Sequence, residues 1–132
     1  MIKVLENENF TLVVYPDKGI VQHTIHKWIT GDDLKTLFLA GAETFKKHNC
    51  TKWLSNDNQN GAIRRQDVDW IHQNWEPEML SAGWKYWAVI LPALAVGRMT
   101  MKRLIERLKT LGVTVVLFED EETAMEWLDK VG

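Results

Sequence analysis

Two short, uninterrupted apolar runs flank an amphipathic segment in the second half of the chain. The runs cover residues 86–91 and 113–118, and the segment between them carries apolar side chains at helical spacing over residues 99–111. An apolar run of this length is typical of a strand that is covered on both faces. A strand, a helix and a second buried strand in this order predict a largely parallel sheet, which places the chain in the α/β class.

The first half of the chain begins with a predicted β-hairpin. Residues 10–15 and 20–29 have strand character, and Pro16 and Gly19 lie in the turn between them. Residues 51–54 supply another short strand. Together with the two apolar runs, these segments predict one α/β domain over residues 1–132. Its sheet is expected to be mixed, mostly parallel and five-stranded, with about four helices and the first hairpin strand at an edge.

Four segments have the apolar spacing of amphipathic helices, and their ends carry cap residues. Thr30 and Asp33 predict a capping box at the first helix, and Pro77 predicts a kink or an end in the second. Gly112 is placed to cap the C-terminus of the third helix, and Asp120 the N-terminus of the last. The first three predicted helices cover residues 34–48, 66–80 and 99–111.

Composition and charge argue against several classes of protein. The net charge of −2 argues against a nucleic-acid partner. Cys50 is the only cysteine, so no internal disulfide can form, which fits a reducing compartment, and we expect a cytoplasmic location. The N-terminus lacks the apolar core of a signal peptide. The most apolar run, residues 84–97, is shorter than the roughly 20 residues that a membrane span requires.

The polar loop over residues 55–61 has the rhythm of a calcium-binding EF-hand loop. Asn56, Asn58, Asn60 and Asp67 occupy ligand positions, but Asp67 is the only carboxylate among them. Two arginines inside the loop, at positions 64 and 65, would repel a dication. We therefore interpret the segment as a strand-to-helix loop that uses Asn and Gly for its turns, without calcium.

No other pattern in the chain predicts catalysis, a metal or a cofactor. His23 and His26 are three residues apart, so on a strand they point to opposite faces, and His23 is interpreted as a partly buried, hydrogen-bonded side chain. Cys50 is interpreted as a small buried thiol. A phosphate-binding glycine loop and a Gly-x-Ser-x-Gly motif are absent from the sequence. We expect a protein that is not an enzyme and carries no cofactor.

The third helix and the tryptophans are the features most suggestive of a partner. The helix presents a basic face that is compatible with peripheral contact to an anionic membrane, although a solvated surface is the more usual role of such a face. Seven tryptophans exceed what one small core accommodates. Some of them should line a pocket or an interface, since indole suits a site with one apolar and one polar side.

A binding surface is predicted around the 55–65 loop and the helix that follows it. Trp70 lies about 200° around this helix from Val68, which should face the core, so Trp70 is expected either on the surface or under a neighbouring loop. Polar side chains stand beside it at the carboxyl end of a strand, where ligands of α/β sheets usually bind. The predicted surface comprises Ser55, Asn56, Asp57, Asn60, Arg64 and Trp70.

Three strings of residues resemble the STAS / SpoIIAA-like domains, specifically their bacterial stand-alone members. They are Lys-Trp-Leu-Ser-Asn-Asp at 52–57, Ala-Gly-Trp-Lys-Tyr-Trp-Ala-Val at 82–89, and the stretch 116–128, which ends in Ala-Met-Glu-Trp-Leu. These domains are related in fold to the lipid-binding CRAL-TRIO domains. The resemblance does not extend to the phosphorylatable serine of the anti-sigma antagonists, because residues 62–66 enter the second helix without Ser or Thr.

The resemblance implies a non-catalytic domain, and two hypotheses follow. In the first, the chain is a regulatory module that contacts an unknown protein partner, with a homodimer as one form of that contact. In the second, it binds an apolar small molecule or lipid in a tryptophan-lined pocket. An enclosed pocket would favour the second hypothesis, and a flat apolar surface or a two-fold contact would favour the first.

Overall fold

The computed structural model describes residues 1–132, which form an α/β domain around one mixed sheet. The sheet has six strands: β1 (Ile2–Glu6), β2 (Phe10–Tyr15), β3 (Ile20–Ile25), β4 (Lys52–Asn56), β5 (Tyr86–Ile90) and β6 (Thr114–Phe118). The helices are α1 (Gly31–Lys47), α2 (Arg65–Trp70), a π-helical turn (Ile71–Trp75), α3 (Glu76–Ser81), α4 (Ala95–Thr110) and α5 (Glu121–Lys130).

The strands lie side by side in chain order. β1, β2 and β3 pair antiparallel, and β3, β4, β5 and β6 pair parallel, so the predicted mixed, mostly parallel α/β sheet with an N-terminal hairpin is confirmed. The predicted number of five strands is one too few, because β1 precedes the hairpin and occupies the edge that had been assigned to residues 10–15. β1 gives little apolar signal because it is mostly exposed and carries Lys3 and Glu6, a usual composition for an edge strand.

The two faces of the sheet are covered unequally. α5 contacts β4, β5 and β6 and belongs to a small cluster with the side chains of Leu54, Ala88 and Ile90. The other helices share a much larger cluster with the alternate residues of the same strands, among them Trp53 and Trp87. Because successive side chains of a strand point to opposite faces, the tryptophans of β4 and β5 both lie under the thick helical layer, and Leu54 and Ile90 lie under α5.

The ends of the helices confirm some predicted caps and correct others. Asp120 caps α5, accepting a 2.8 Å hydrogen bond from the Thr123 N–H, and Gly112 follows α4 with φ of 99°. The capping box at α1 is wrong: Thr30 makes no side-chain cap hydrogen bond, and Asp33 instead accepts one from Asn9. α4 begins at Ala95, four residues before its predicted start. The early turn was missed because Ala95 and Val96 are exposed and give no core-facing pattern.

The second predicted helix is one continuous helical segment whose middle is the π-helical turn. Pro77 does not end it. The proline lies in the first turn of α3, directly after the π-helical turn, where the regular α-helical pattern is interrupted. Ile71, Trp75 and Met79 are all buried along this segment. Counted as one, it leaves four helical segments, as predicted. None of the helices combines the length and the apolar character needed to span a membrane.

Candidate functional site

An enclosed, mostly apolar cavity lies between the sheet and its thicker helical layer. It leaves about 20 Å³ for the centre of a water-sized molecule, which is enough for roughly one water. Strands β3, β4 and β5 form its floor, and α1, the π-helical turn and α4 form its roof. Its walls are built from His23, Ile29, Leu34, Phe38, Trp53, Ser55, Asp57, Asn60, Ile63, Trp75, Trp84, Trp87, Met101, Leu104 and Leu108.

Four tryptophans contribute the largest side chains of the cavity wall. Trp53 and Trp87 are register partners on β4 and β5, which places both indoles on the same face of the sheet. Trp75 joins Trp53 to Trp84, and Trp84 packs against Trp87, with ring centroids 5.2 to 5.4 Å apart in each pair. Four of the seven tryptophans therefore line the cavity, whereas Trp28 is exposed and Trp127 packs on the opposite face of the sheet.

Each of these four indole N–H groups donates to an acceptor of the protein. Trp75 donates to the Phe38 carbonyl at 2.9 Å, and Trp84 to the Tyr86 carbonyl at 3.1 Å. The two sheet tryptophans donate to polar side chains of the cavity itself. With its one polar atom engaged, each indole has only ring carbon left to present to the cavity.

A buried histidine and a buried aspartate form the polar end of the cavity. Nε2 of His23 lies 3.0 Å from Oδ1 of Asp57, and each residue is about 4 % exposed. The Trp53 indole N–H donates to Nδ1 of His23 at 3.0 Å, so Nδ1 must carry a lone pair rather than a proton. His23 is therefore a neutral imidazole whose Nε2–H donates to Asp57. His23 is hydrogen-bonded, as predicted, but it is fully rather than partly buried.

Ser55 lies beside His23 in the sheet without forming a catalytic triad. The two residues are register partners on β4 and β3, and Oγ of Ser55 accepts a 2.8 Å hydrogen bond from the Trp87 indole. Both ring nitrogens of His23 are already engaged, so the imidazole has no free base for the Ser55 hydroxyl. Cys50 is likewise a poor nucleophile, since burial raises the pKa of its thiol to about 11.

Asn60 fixes the loop that closes the polar end. Its Oδ1 accepts from the backbone N–H of Ile29 at 3.2 Å and of Gly61 at 3.0 Å, which ties the loop to the segment before α1. The Ile63 N–H donates to Oγ1 of Thr100, which ties the same loop to α4. The loop thus lies across the carboxyl ends of the parallel strands, where α/β sheets usually hold ligands.

The six residues of the predicted binding surface do not form one surface. Ser55, Asp57 and Asn60 are buried in the cavity wall, because they lie on the inward side of β4 and its loop. Asn56 points to the opposite face, where its Nδ2 donates to Glu121 of α5 at 2.8 Å. The strand alternation that separates Asn56 from Ser55 is visible in the sequence, but the depth of the following loop is not.

Arg64 is engaged by a buried carboxylate. Its Nε lies 2.9 Å from Oδ2 of Asp67, which also accepts hydrogen bonds from the Gly31 N–H. Burial opposes ionisation of Asp67, but the hydrogen bonds from Arg64 and Gly31 outweigh it and hold the pKa of this carboxyl below its usual value. Both oxygens of the only ligand-position carboxylate in the calcium-like loop are thus already bonded.

Trp70 is half-buried, between the two positions predicted for it. Its ring packs against the edge of the large core cluster, and Nζ of Lys35 lies 5.8 Å from the ring centroid. Nearby, Val68 packs against the same cluster, as predicted, and Asp67 is the fully buried residue in the first turn of α2. A sequence pattern that assigns apolar residues to the core cannot anticipate the burial of Asp67.

An exposed apolar surface lies at the start of α4. Leu94, Val96 and Met99 are 68 %, 62 % and 57 % exposed, and Arg98 and Lys102 lie among and after them. We call Leu94, Val96 and Met99 the α4 patch. The patch was not predicted, because residues 84–97 were considered as an apolar run too short to span a membrane and Met99 as the first residue of a helix.

Comparison with known proteins yields no relative for this chain. No protein-family model, no curated protein and no solved structure matches it. The structure also contains no group of three or more His, Cys, Asp or Glu side chains arranged to hold a metal ion.

Proposed function

We propose that this protein binds an apolar small molecule in the tryptophan-lined cavity, without converting it. The observation that carries this proposal is the enclosed space between four indoles, with His23, Asp57 and Ser55 at one end. Small-molecule sites are usually apolar recesses with a few fixed polar groups, and this cavity has that composition.

The size of the cavity sets a condition on binding. A space of about 20 Å³ for a water centre admits only the smallest molecules in this conformation. A larger ligand requires the 57–63 loop to separate from α4. Ile63 and Thr100 join the two, and Ala93, two residues before α4, donates a 3.0 Å backbone hydrogen bond to Asn58 of the loop.

Binding rather than catalysis is favoured by the state of the polar groups. Neither His23 nor Cys50 offers a base or a nucleophile that is free at neutral pH, for the reasons given above. The polar groups can orient a ligand by hydrogen bonds. The same reasoning supports the non-catalytic role that the STAS / SpoIIAA resemblance implies.

The test uses N-phenyl-1-naphthylamine, a neutral apolar dye whose fluorescence rises in apolar surroundings. We expect one dye molecule per chain and lowered tryptophan emission. Leu104→Phe, which adds bulk to the α4 side of the cavity, should weaken dye binding about tenfold. Trp127→Phe, a substitution on the opposite face of the sheet, should leave dye binding unchanged. Absent binding, or equal affinity in the Leu104→Phe variant, would overturn the proposal.

The α4 patch favours a second candidate function, a regulatory module that acts by protein contact. Three exposed apolar side chains within six residues are costly in water unless a partner covers them. A second copy of the chain is the partner that can be tested directly. Sedimentation should then show dimers that Val96→Asp converts to monomers, whereas Thr36→Asp, an exposed change on α1, should not. A monomeric wild-type protein at high concentration would contradict self-association through this patch.

A further inference from the structure

We propose that the cavity selects a small organic ammonium ion, with the charged head held at Asp57 and the apolar part against the indoles. This inference rests on the proposed function, because it names the class of ligand for the same cavity. The inference depends on the charges of Asp57 and His23 rather than on the size of the cavity.

Asp57 brings a negative charge into the cavity that no side chain of the protein offsets. Its only charged or potentially charged neighbour within ion-pair distance is His23, and the hydrogen bond from Trp53 keeps that imidazole neutral. No lysine or arginine lines the cavity. A buried carboxylate without a counter-charge is costly, so the site is complementary to a cation.

Two oxygens of the cavity wall have acceptor capacity left for a cation. Oδ1 of Asp57 accepts from His23, but Oδ2 has no hydrogen-bond partner in the protein. Oγ of Ser55 accepts one hydrogen bond, from Trp87, and an oxygen of this type has a second lone pair. An ammonium group has only donors, so it can donate to either acceptor, and its size is close to that of the water the cavity admits.

The walls suit the apolar part of such an ion. The indole N–H groups are all engaged by the protein, so the ring carbons of Trp53, Trp75, Trp84 and Trp87 are what a ligand meets. A neutral or anionic ligand of equal length would gain the same apolar contacts without the charge interaction.

The experiment compares propylammonium with propan-1-ol, which has the same chain length and no charge. We expect propylammonium to shift the ¹H–¹⁵N indole resonances of Trp53 and Trp87, and to bind at least about tenfold more tightly than the alcohol. Asp57→Asn should abolish this preference while N-phenyl-1-naphthylamine still binds. Asp69→Asn, which removes an exposed carboxylate on α2, should keep the preference.

The possible failures separate the two proposals. Equal affinity for the ammonium ion and the alcohol, with dye binding intact, would overturn the ammonium selectivity and leave the cavity as a site for neutral ligands. Absent dye binding would overturn the proposed function itself. If Asp57→Asn does not fold, the indole shifts of the wild-type protein decide: ammonium-induced shifts confined to exposed Trp28 would place the ion outside the cavity and contradict the proposal.

Discussion

A β-carbon added at Gly41 would lie 2.2 Å from Cη2 of Trp53, so α1 approaches β4 as closely as it does only because residue 41 has no side chain. Trp53 is about 1 % exposed and lies in the floor of the cavity, with its N–H fixed on His23. The glycine and the tryptophan therefore set the distance between the helical layer and the sheet at this site.

Gly41→Ala should destabilise the protein. Alanine favours a helix over glycine by about 1 kcal/mol, but the overlap with a rigid indole should outweigh this gain and leave a net loss of about 1–3 kcal/mol. Chemical denaturation measures the free energy of unfolding. Thr36→Ala, an exposed change on the same helix, should alter it by less than about 0.5 kcal/mol. A Gly41→Ala variant as stable as the wild type would show that the two layers separate without cost.

His23→Phe should be more damaging than the loss of one hydrogen bond. The change leaves the Trp53 N–H and the Asp57 carboxylate without their protein partners in a buried site, which we expect to cost about 2–4 kcal/mol. Adding Asp57→Leu should recover part of that loss, because it removes the buried group left without a partner. A double variant that is less stable than His23→Phe alone would contradict the assigned pairing.

Trp70→Ala should give an intermediate loss of stability. The ring is half-buried against the core, so its removal should cost about 1–2 kcal/mol, less than for a fully buried aromatic residue. Lys35→Met should cause only a small part of this loss of stability, since exposed cation–π contacts contribute about 0.5–1 kcal/mol. Thermal unfolding of both variants is the measurement. A loss of several kcal/mol for Trp70→Ala would mean that the ring is a core element.

The pH dependence of the free energy of unfolding should show the contribution of the Asp67 carboxylate. Its pKa is lowered in the folded protein, so its stabilising effect is fully present above the unfolded-state value of about 4 and is lost as the pH falls through the lower folded value. Asp67→Asn should therefore be less stable than the wild type at pH 7. The difference between the two proteins should narrow below about pH 4. A difference that is constant between pH 7 and pH 3 would contradict the ion pair with Arg64.

Most of the fold could be predicted from the sequence because the signals that predict it are local. The apolar runs that become β5 and β6, and the caps at Asp120 and Gly112, depend on neighbours in the chain and were confirmed. β1 could not be predicted in the same way, because pairing with β2 rather than its own side-chain pattern makes it a strand.

The site was predictable only in part. Polar residues at the carboxyl end of β4 were singled out, and Ser55, Asp57 and Asn60 do line the cavity. Their burial and their link to His23 depend on contacts between residues about 30 apart in the chain. The same holds for Trp70, whose half-buried position is set by how α2 packs against the core.

The central claim is that a small molecule enters the tryptophan-lined cavity, and a crystal structure of the protein with N-phenyl-1-naphthylamine tests it most directly. We expect the dye between the sheet and α4, in contact with the indoles of Trp53 and Trp87, with the 57–63 loop displaced from α4 to make room. A dye molecule seated only on the α4 patch, with the cavity unchanged and holding at most a water, would contradict the account.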